Sequence, residues 1–470
     1  MKRRMIACFS LILILSSSLL SPIPVRATNY ESSIENTWPN GPSVFAEAAI
    51  VMEASTGLVL YEKNINKSYY PASITKIMTA LLAIENSSMG EIVTFSRDAV
   101  FKVDLDSSRI GIDVGEQLTM QQCLYGILLE SANEVSYAVA EHIGGTVENF
   151  AKMMNDKAKS LGALNTNFTN PHGLPDDNHY TTPYDMALIT REAMKNETFR
   201  KIFGTRTYQI PPTNIQEETR YLRNHHKFVL KQNYFYDDCI GGKTGYTSKA
   251  KFTLVSVAKR GDLELICVIM KDDTSAHQYT DTQKLFDFGF DNFSIYPINE
   301  LETTVLNEES PIFTRFNPLL SEDSPIGTDE NGYLILPNSA SFEDAKREVS
   351  FSPSSEIKDG ENVIGTISYT YQGKYVGGAN ILYHQSDKPV LVTKELDVKK
   401  PAIHADDTTP VLKSTGSLYP IIIGIITGIF VLIIGLYYIF VERPRLKRRR
   451  AYYKKRANRR MHYNDEYLDL

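Results

Sequence analysis

The chain has 470 residues, 42% of them apolar, without low-complexity bulk, which suits two or three globular domains and excludes a disordered polymer. Its 56 acidic residues outnumber 50 Lys and Arg, for a net charge of −6. Residues 1–27 carry +4 and residues 442–470 carry +7, so about −17 is left on the segment between them, a balance that excludes nucleic acid as a partner. Beyond Cys8 only Cys123, Cys239 and Cys267 remain, which is no disulfide framework; they are expected mostly buried and reduced.

Residues 1–27 read as a secretory signal: Lys2, Arg3 and Arg4 precede an apolar stretch over 5–20, and Val25-Arg26-Ala27 offers a small-residue cleavage site. No cysteine stands at that point to make a lipoprotein. After an N-terminal segment, 28–43, apolar runs over 48–54 and 58–63 flank Ser55-Thr56-Gly57 and predict a β-hairpin. Ile74, Ile77, Met78, Leu81 and Leu82 then recur at helical spacing and predict a core helix over 73–84. Further helical periods cover 119–129, 134–143, 147–161 and 183–194.

From Ile240 the pattern returns to strands, 252–258 and 263–270, joined across Arg260-Gly261-Asp262, and 278–288 closes as a helix. Strands at both ends with helices between predict one mixed α/β domain over 44–290, whose antiparallel sheet is completed by distant segments around a helical insert. Residues 295–392, with extended runs at 332–336, 363–371 and 377–383, read as a small all-β domain, and the polar stretch 393–417 as a linker.

Residues 418–441 carry no charge and are long enough to cross a hydrocarbon core of roughly 30 Å, so a single C-terminal transmembrane helix is expected. The tail, 442–470, holds eleven Lys or Arg, which places it in the cytoplasm, against anionic headgroups, and everything between signal and span outside the cell.

Chemistry-bearing residues fall in three clusters. Ser73-Ile74-Thr75-Lys76 sets a hydroxyl and an amine on one helix face. Serine is a poor nucleophile until a base takes its proton, and lysine serves as that base when a helix N-terminus and burial lower its pKa. Alone, a Ser-x-x-Lys is expected about once or twice by chance in such a chain. Ser131-Ala132-Asn133, between two helices, presents a second hydroxyl and an amide, though alone it reads as a polar connection. Lys243-Thr244-Gly245 follows Gly241-Gly242 beside predicted strands; the glycines would let a ligand backbone approach, and by itself the run fits a hairpin turn as well, although the triplet is expected only about one time in ten by chance.

The ordered trio matches the penicillin-binding-protein pattern, apart from Ala132 at the middle of the second motif. Together with Pro71-Ala72 before Ser73, Ile77-Met78-Thr79 after Lys76, Asn170-Pro171-His172-Gly173-Leu174, His179-Tyr180-Thr181-Thr182 and Tyr246-Thr247, it resembles the low-molecular-weight penicillin-binding proteins of the serine-type D-alanyl-D-alanine carboxypeptidase family. The likeness runs from about Val44 to Phe290 and more loosely beyond. Two departures stand out: Ala250 is followed by Lys251 where the family usually has glycine, and a spanning segment replaces the amphipathic anchor of many relatives.

The resemblance implies a β-lactamase/transpeptidase-like fold and an acyl-enzyme on Ser73 with Lys76 as base. Ser131 would relay a proton to the departing amine, and Asn133 would hold the substrate amide. Lys243 and Thr244 of Lys243-Thr244-Gly245 would take the terminal carboxylate, and the backbone amides of Ser73 and Tyr246 would form the oxyanion hole. The expected substrate is a peptidoglycan stem peptide ending in D-Ala-D-Ala, with β-lactams as covalent inhibitors, on the outer face of a bacterial cell membrane. A β-lactamase, or a non-catalytic membrane-tethered penicillin- or wall-binding sensor, are the competing readings. His172 and His179 read as structural loop residues, no His-Glu-x-x-His occurs, and no metal or cofactor is expected.

Overall fold

The computed structural model describes residues 38–104, 106–231, 233–299, 301, 326–351 and 360–385. The signal, the linker, the spanning segment and the basic tail read from the sequence lie outside the described residues. Among the described residues no helix is long and apolar enough to cross a membrane.

The chain opens with β1 (Ala48–Glu53) and β2 (Val59–Lys63), the predicted hairpin, with Glu53 accepting from the backbone and hydroxyls of Ser55 and Thr56 at its turn. A 3₁₀ turn, Ala72–Thr75, leads into α1 (Lys76–Asn86). After β3 (Ile92–Thr94), α2 (Arg97–Phe101) and β4 (Gln117–Thr119) comes α3 (Met120–Leu129), entered through a capping box of Thr119 and Gln122. The helices α4 (Asn133–Gly144), α5 (Val147–Ser160), α6 (Pro183–Met194) and α7 (Glu197–Phe203) complete the insert. A hairpin of β5 (Thr207–Ile210) and β6 (Arg220–Arg223) follows. Then β7 (Cys239–Thr247), β8 (Lys251–Arg260), β9 (Leu263–Asp272) and α8 (His277–Asn292) close the unit.

The main sheet is antiparallel with order β2-β1-β9-β8-β7, so the first hairpin and the last meander pair through β1 and β9, as strands at both ends of the domain predict. Its two faces are apolar in alternation, which is why β8 and β9 read as nearly continuous apolar runs. The row Lys243, Val255, Val268, Ile50 faces the helical insert, where Val255, Val268 and Ile50 pack with Ile74, Ile77 and Leu124. The next row, Thr244, Leu254, Ile269, Ala49, faces α8 and its Tyr279, Leu285 and Phe286.

A second, six-stranded sheet follows at once: β10 (Phe293–Pro297), β11 (Ile326–Thr328), β12 (Tyr333–Pro337), β13 (Lys346–Phe351), β14 (Gly360–Tyr371) and β15 (Lys374–Gln385). Its Leu334, Leu336, Ile367 and Ile381 belong to the same buried cluster as Phe286 and Phe288. Cys123, Cys239 and Cys267 are all free thiols, the first and last buried.

Lys251, where the family usually has glycine, stands at the β7–β8 turn with φ +58°, in the left-handed region that penalises any side chain bearing a Cβ. It faces Thr247 across the turn, and its side chain is exposed. Lys251→Gly is therefore expected to stabilise the fold by about 1 kcal/mol, the steric relief outweighing glycine's greater freedom when unfolded. The urea midpoint reads this; an unchanged or lowered midpoint would show that the turn carries no strain.

Candidate active site

Ser73 occupies the 3₁₀ turn, and the regular helix begins only at Lys76, three residues later than the periodicity suggests. The cause is crowding. Ala72 is held at φ +52°, Thr253 Oγ1 donates to the Pro71 carbonyl at 2.9 Å, and two glycine backbones press on the turn. A Cβ at Gly173 would lie 1.9 Å from the Ala72 carbonyl oxygen, and one at Gly245 would lie 2.9 Å from the Ser73 nitrogen. Ser131 is a second non-glycine residue of the site held in the left-handed region, at φ +62°.

Lys76, fully buried, points Nζ at three oxygens: Ser73 Oγ at 3.2 Å, Asn133 Oδ1 at 2.5 Å and the His172 carbonyl at 2.7 Å. Burial, reinforced by the charge of Lys243, pushes the ammonium well below its usual range, and Glu134 opposes them. Ser131, at the left-handed step between α3 and α4, accepts from Lys243 Nζ at 3.0 Å, and Lys243 also donates to the Thr244 carbonyl at 2.9 Å. Burial lowers the Lys243 ammonium to about 7, with Glu130 opposing. Two hydrogen-bonded groups thus meet at the cleft, Ser73–Lys76–Asn133 and Lys243–Ser131.

Lys243 and Thr244 are consecutive strand residues, so their side chains leave on opposite faces. Both border the cleft because β7 is the sheet's edge strand: Lys243 reaches across beneath the helical insert, and Thr244 lies on the cleft wall. Lys243-Thr244-Gly245 is therefore strand, not the hairpin turn its glycines suggest. The expectation that Gly241 and Gly242 admit a ligand is also corrected. A Cβ there would meet Phe203 at 2.5 Å and His226 at 2.2 Å, so both glycines make room for the protein's own rings. Gly245 is the glycine of this run that lies against the Ser73 backbone.

The fourth motif positions an acceptor for Lys76. Asn170 Oδ1 accepts from the Gly173 N–H at 2.7 Å, Thr79 Oγ1 donates to the Pro171 carbonyl at 2.6 Å, and the loop so held turns the His172 carbonyl onto Lys76. His179 Nδ1 accepts from the Thr169 N–H at 3.0 Å, which leaves Nε2 to donate to Thr75 Oγ1 at 2.9 Å. Burial pulls His179 to about 4, holding it neutral. Sequence reasoning recognised these residues without assigning the carbonyl contact, because a main-chain acceptor leaves no residue-type signal.

The cleft encloses about 560 Å³. Ser73, Ser131, Asn133, Thr244, Gly245 and Tyr246 line it, and Lys76 and Lys243 sit behind its wall. Also on the wall, and unmarked by any motif, are Asp104, Asp106, His225, Lys227, Gln278 and Tyr279. Asp272, Asp273 and His277 are the one group of donors close enough to share a metal ion among the described residues, and none of them lines the cleft.

A serine hydroxyl bonded to a buried lysine amine, on a sheet edge under a helical insert, defines a serine hydrolase of the penicillin-interacting class. The family model described as D-alanyl-D-alanine carboxypeptidase matches residues 35–274, and the chain belongs to that family. It is 37% identical over 262 residues to D-alanyl-D-alanine carboxypeptidase DacF of Bacillus subtilis, covering 55% of this chain and 66% of that one. With D-alanyl-D-alanine carboxypeptidase DacA of Escherichia coli it shares 27% identity, covering 82% of this chain and 92% of the relative. Among solved structures, penicillin-binding protein 5 of Haemophilus influenzae superposes with a TM-score of 0.58 at 25% identity, covering 74% of this chain and 98% of that one.

Proposed function

We propose that the protein is a serine-type D-alanyl-D-alanine carboxypeptidase that removes the terminal D-alanine of peptidoglycan stem peptides through an ester on Ser73. The observation that carries this is the pair of hydrogen-bonded groups at one cleft, Ser73 with Lys76 and Asn133, and Ser131 with Lys243. A neutral Lys76 has two N–H bonds and a lone pair. Donating to Asn133 and to the His172 carbonyl leaves the lone pair for the Ser73 proton.

Ser73 Oγ then attacks the penultimate carbonyl, and the Ser73 and Tyr246 N–H groups receive the developing oxyanion. Ser131, backed by Lys243, passes a proton to the leaving amine, and Asn133 holds the substrate amide. Thr244 takes the terminal carboxylate, with the Lys243 charge behind it, which makes the enzyme a carboxypeptidase. Water deacylates the ester, and β-lactams arrest it there. Release of D-alanine from a defined pentapeptide tests the reading. A stable penicilloyl adduct with no D-alanine released would favour the sensor, and rapid penicillin turnover alone the β-lactamase.

Export by the 1–27 signal, a catalytic domain over 44–290, a β domain over 295–392 and anchoring by 418–441, with the catalytic part outside the cell, complete the proposal; charge and apolar length support it. Truncation at Lys413 is expected to release active protein from the membrane. Truncated protein that still sediments with membranes would require a second attachment.

A further inference from the structure

The terminal carboxylate of the proposed substrate needs a cation that can touch it, and Lys243 is poorly placed to serve alone. Its Nζ lies behind the cleft wall, already donating to Ser131 Oγ and the Thr244 carbonyl. Of the other candidates, His225 is bound to Glu130 at 2.9 Å. Lys227 is the one lysine or arginine on the cleft wall among the described residues, and no carboxylate of those residues pairs with it within 4.0 Å.

Lys227 is also held in place. Its ammonium lies 5.2 Å from the ring centre of Tyr234 and 5.5 Å from that of Tyr279. Its backbone N–H donates to Tyr279 Oη at 3.2 Å, and Tyr279 in turn donates to the His225 carbonyl at 3.4 Å. Aromatic faces hold a cation without neutralising it, so the charge stays available to a ligand. Thr244, Ser275 and Gln278 share that wall, so hydroxyls and an amide line the same pocket as the charge.

We propose that Lys227 is a specificity-determining residue that reads the substrate's terminal carboxylate from the solvent side of the cleft, together with the Thr244 hydroxyl. This rests on the carboxypeptidase reading and adds to it a division of labour: Lys227 contacts the carboxylate, and Lys243 chiefly serves Ser131. A paired carboxylate is then the difference between a peptide acid and its amide, and the preference for a free C-terminus belongs largely to Lys227.

The test compares the full chain in detergent with its Lys227→Met and Lys227→Arg variants on a D-Ala-D-Ala peptide and on its C-terminal amide. Methionine keeps a stem to pack on the tyrosines. Lys227→Met is expected to raise KM for the acid about tenfold, with kcat within about twofold, and to shrink the acid-to-amide preference by the same factor. Lys227→Arg should restore most of it. A second readout is independent of turnover: the rate of Ser73 acylation by benzylpenicillin relative to its methyl ester should fall in Lys227→Met. Unchanged ratios in both assays overturn the proposal, even where stability drops, because a structural role would affect acid and ester alike. A wild type that is acylated yet releases no D-alanine from either peptide would instead defeat the carboxypeptidase reading, and the acylation ratio would still decide the role of Lys227.

Discussion

Ser73→Ala is expected to abolish both D-alanine release and covalent labelling by fluorescent penicillin while leaving the protein folded. Ser73 is half-buried at the cleft wall, and its hydroxyl is bound to Lys76 Nζ at 3.2 Å. Its loss leaves Lys76 with two acceptors, Asn133 Oδ1 and the His172 carbonyl, so the buried amine is not stranded and the stability change should stay within about 1 kcal/mol. The competing nucleophile is Ser131, whose hydroxyl also lines the cleft but is 3% exposed and tied to Lys243. The two are told apart by labelling the variant and mapping any adduct. Label retained on Ser131 would move the nucleophile there; label lost with the unfolding midpoint unchanged assigns it to Ser73.

The fold was legible where one period dominates. α6 was bounded correctly because Thr182 caps it, accepting from Asp185, and Pro183 suits its first turn. The two strands after Ile240 announced themselves as apolar runs. β7 did not, since Cys239-Ile240-Gly241-Gly242-Lys243-Thr244-Gly245 has three glycines and one lysine and lacks an apolar alternation; Gly241 and Gly242 are spaces for Phe203 and His226, which come from earlier segments. α7 and the β5–β6 hairpin were missed because each is too short to carry a period. Residues of the site that belong to motifs were found, Lys76, Ser131, Asn133 and Lys243 among them. Lys227 and Gln278 were not, because their place on the cleft wall depends on how β7 and α8 pack and not on their neighbours in the chain.

Lys76→Met is expected to lower the acylation rate about a thousandfold, the span of a positioned general base, measured as the rate of penicillin labelling per folded molecule. Methionine fills much the same volume. It leaves Asn133 Oδ1 and the His172 carbonyl without the donor they share, at about 1 to 3 kcal/mol each, but it also removes a buried amine, so a folded variant should be obtained. The pH dependence separates the roles. Burial holds the Lys76 ammonium well below its usual range and so favours the neutral form; acylation should fall on acidification as Lys76 takes up a proton. In Lys76→Met that ascending limb should vanish along with the rate. Its survival would point to Lys243, lowered to about 7 and bonded to Ser131, as the titrating group, and Lys76 would then be a structural tie between α1, Asn133 and the His172 loop.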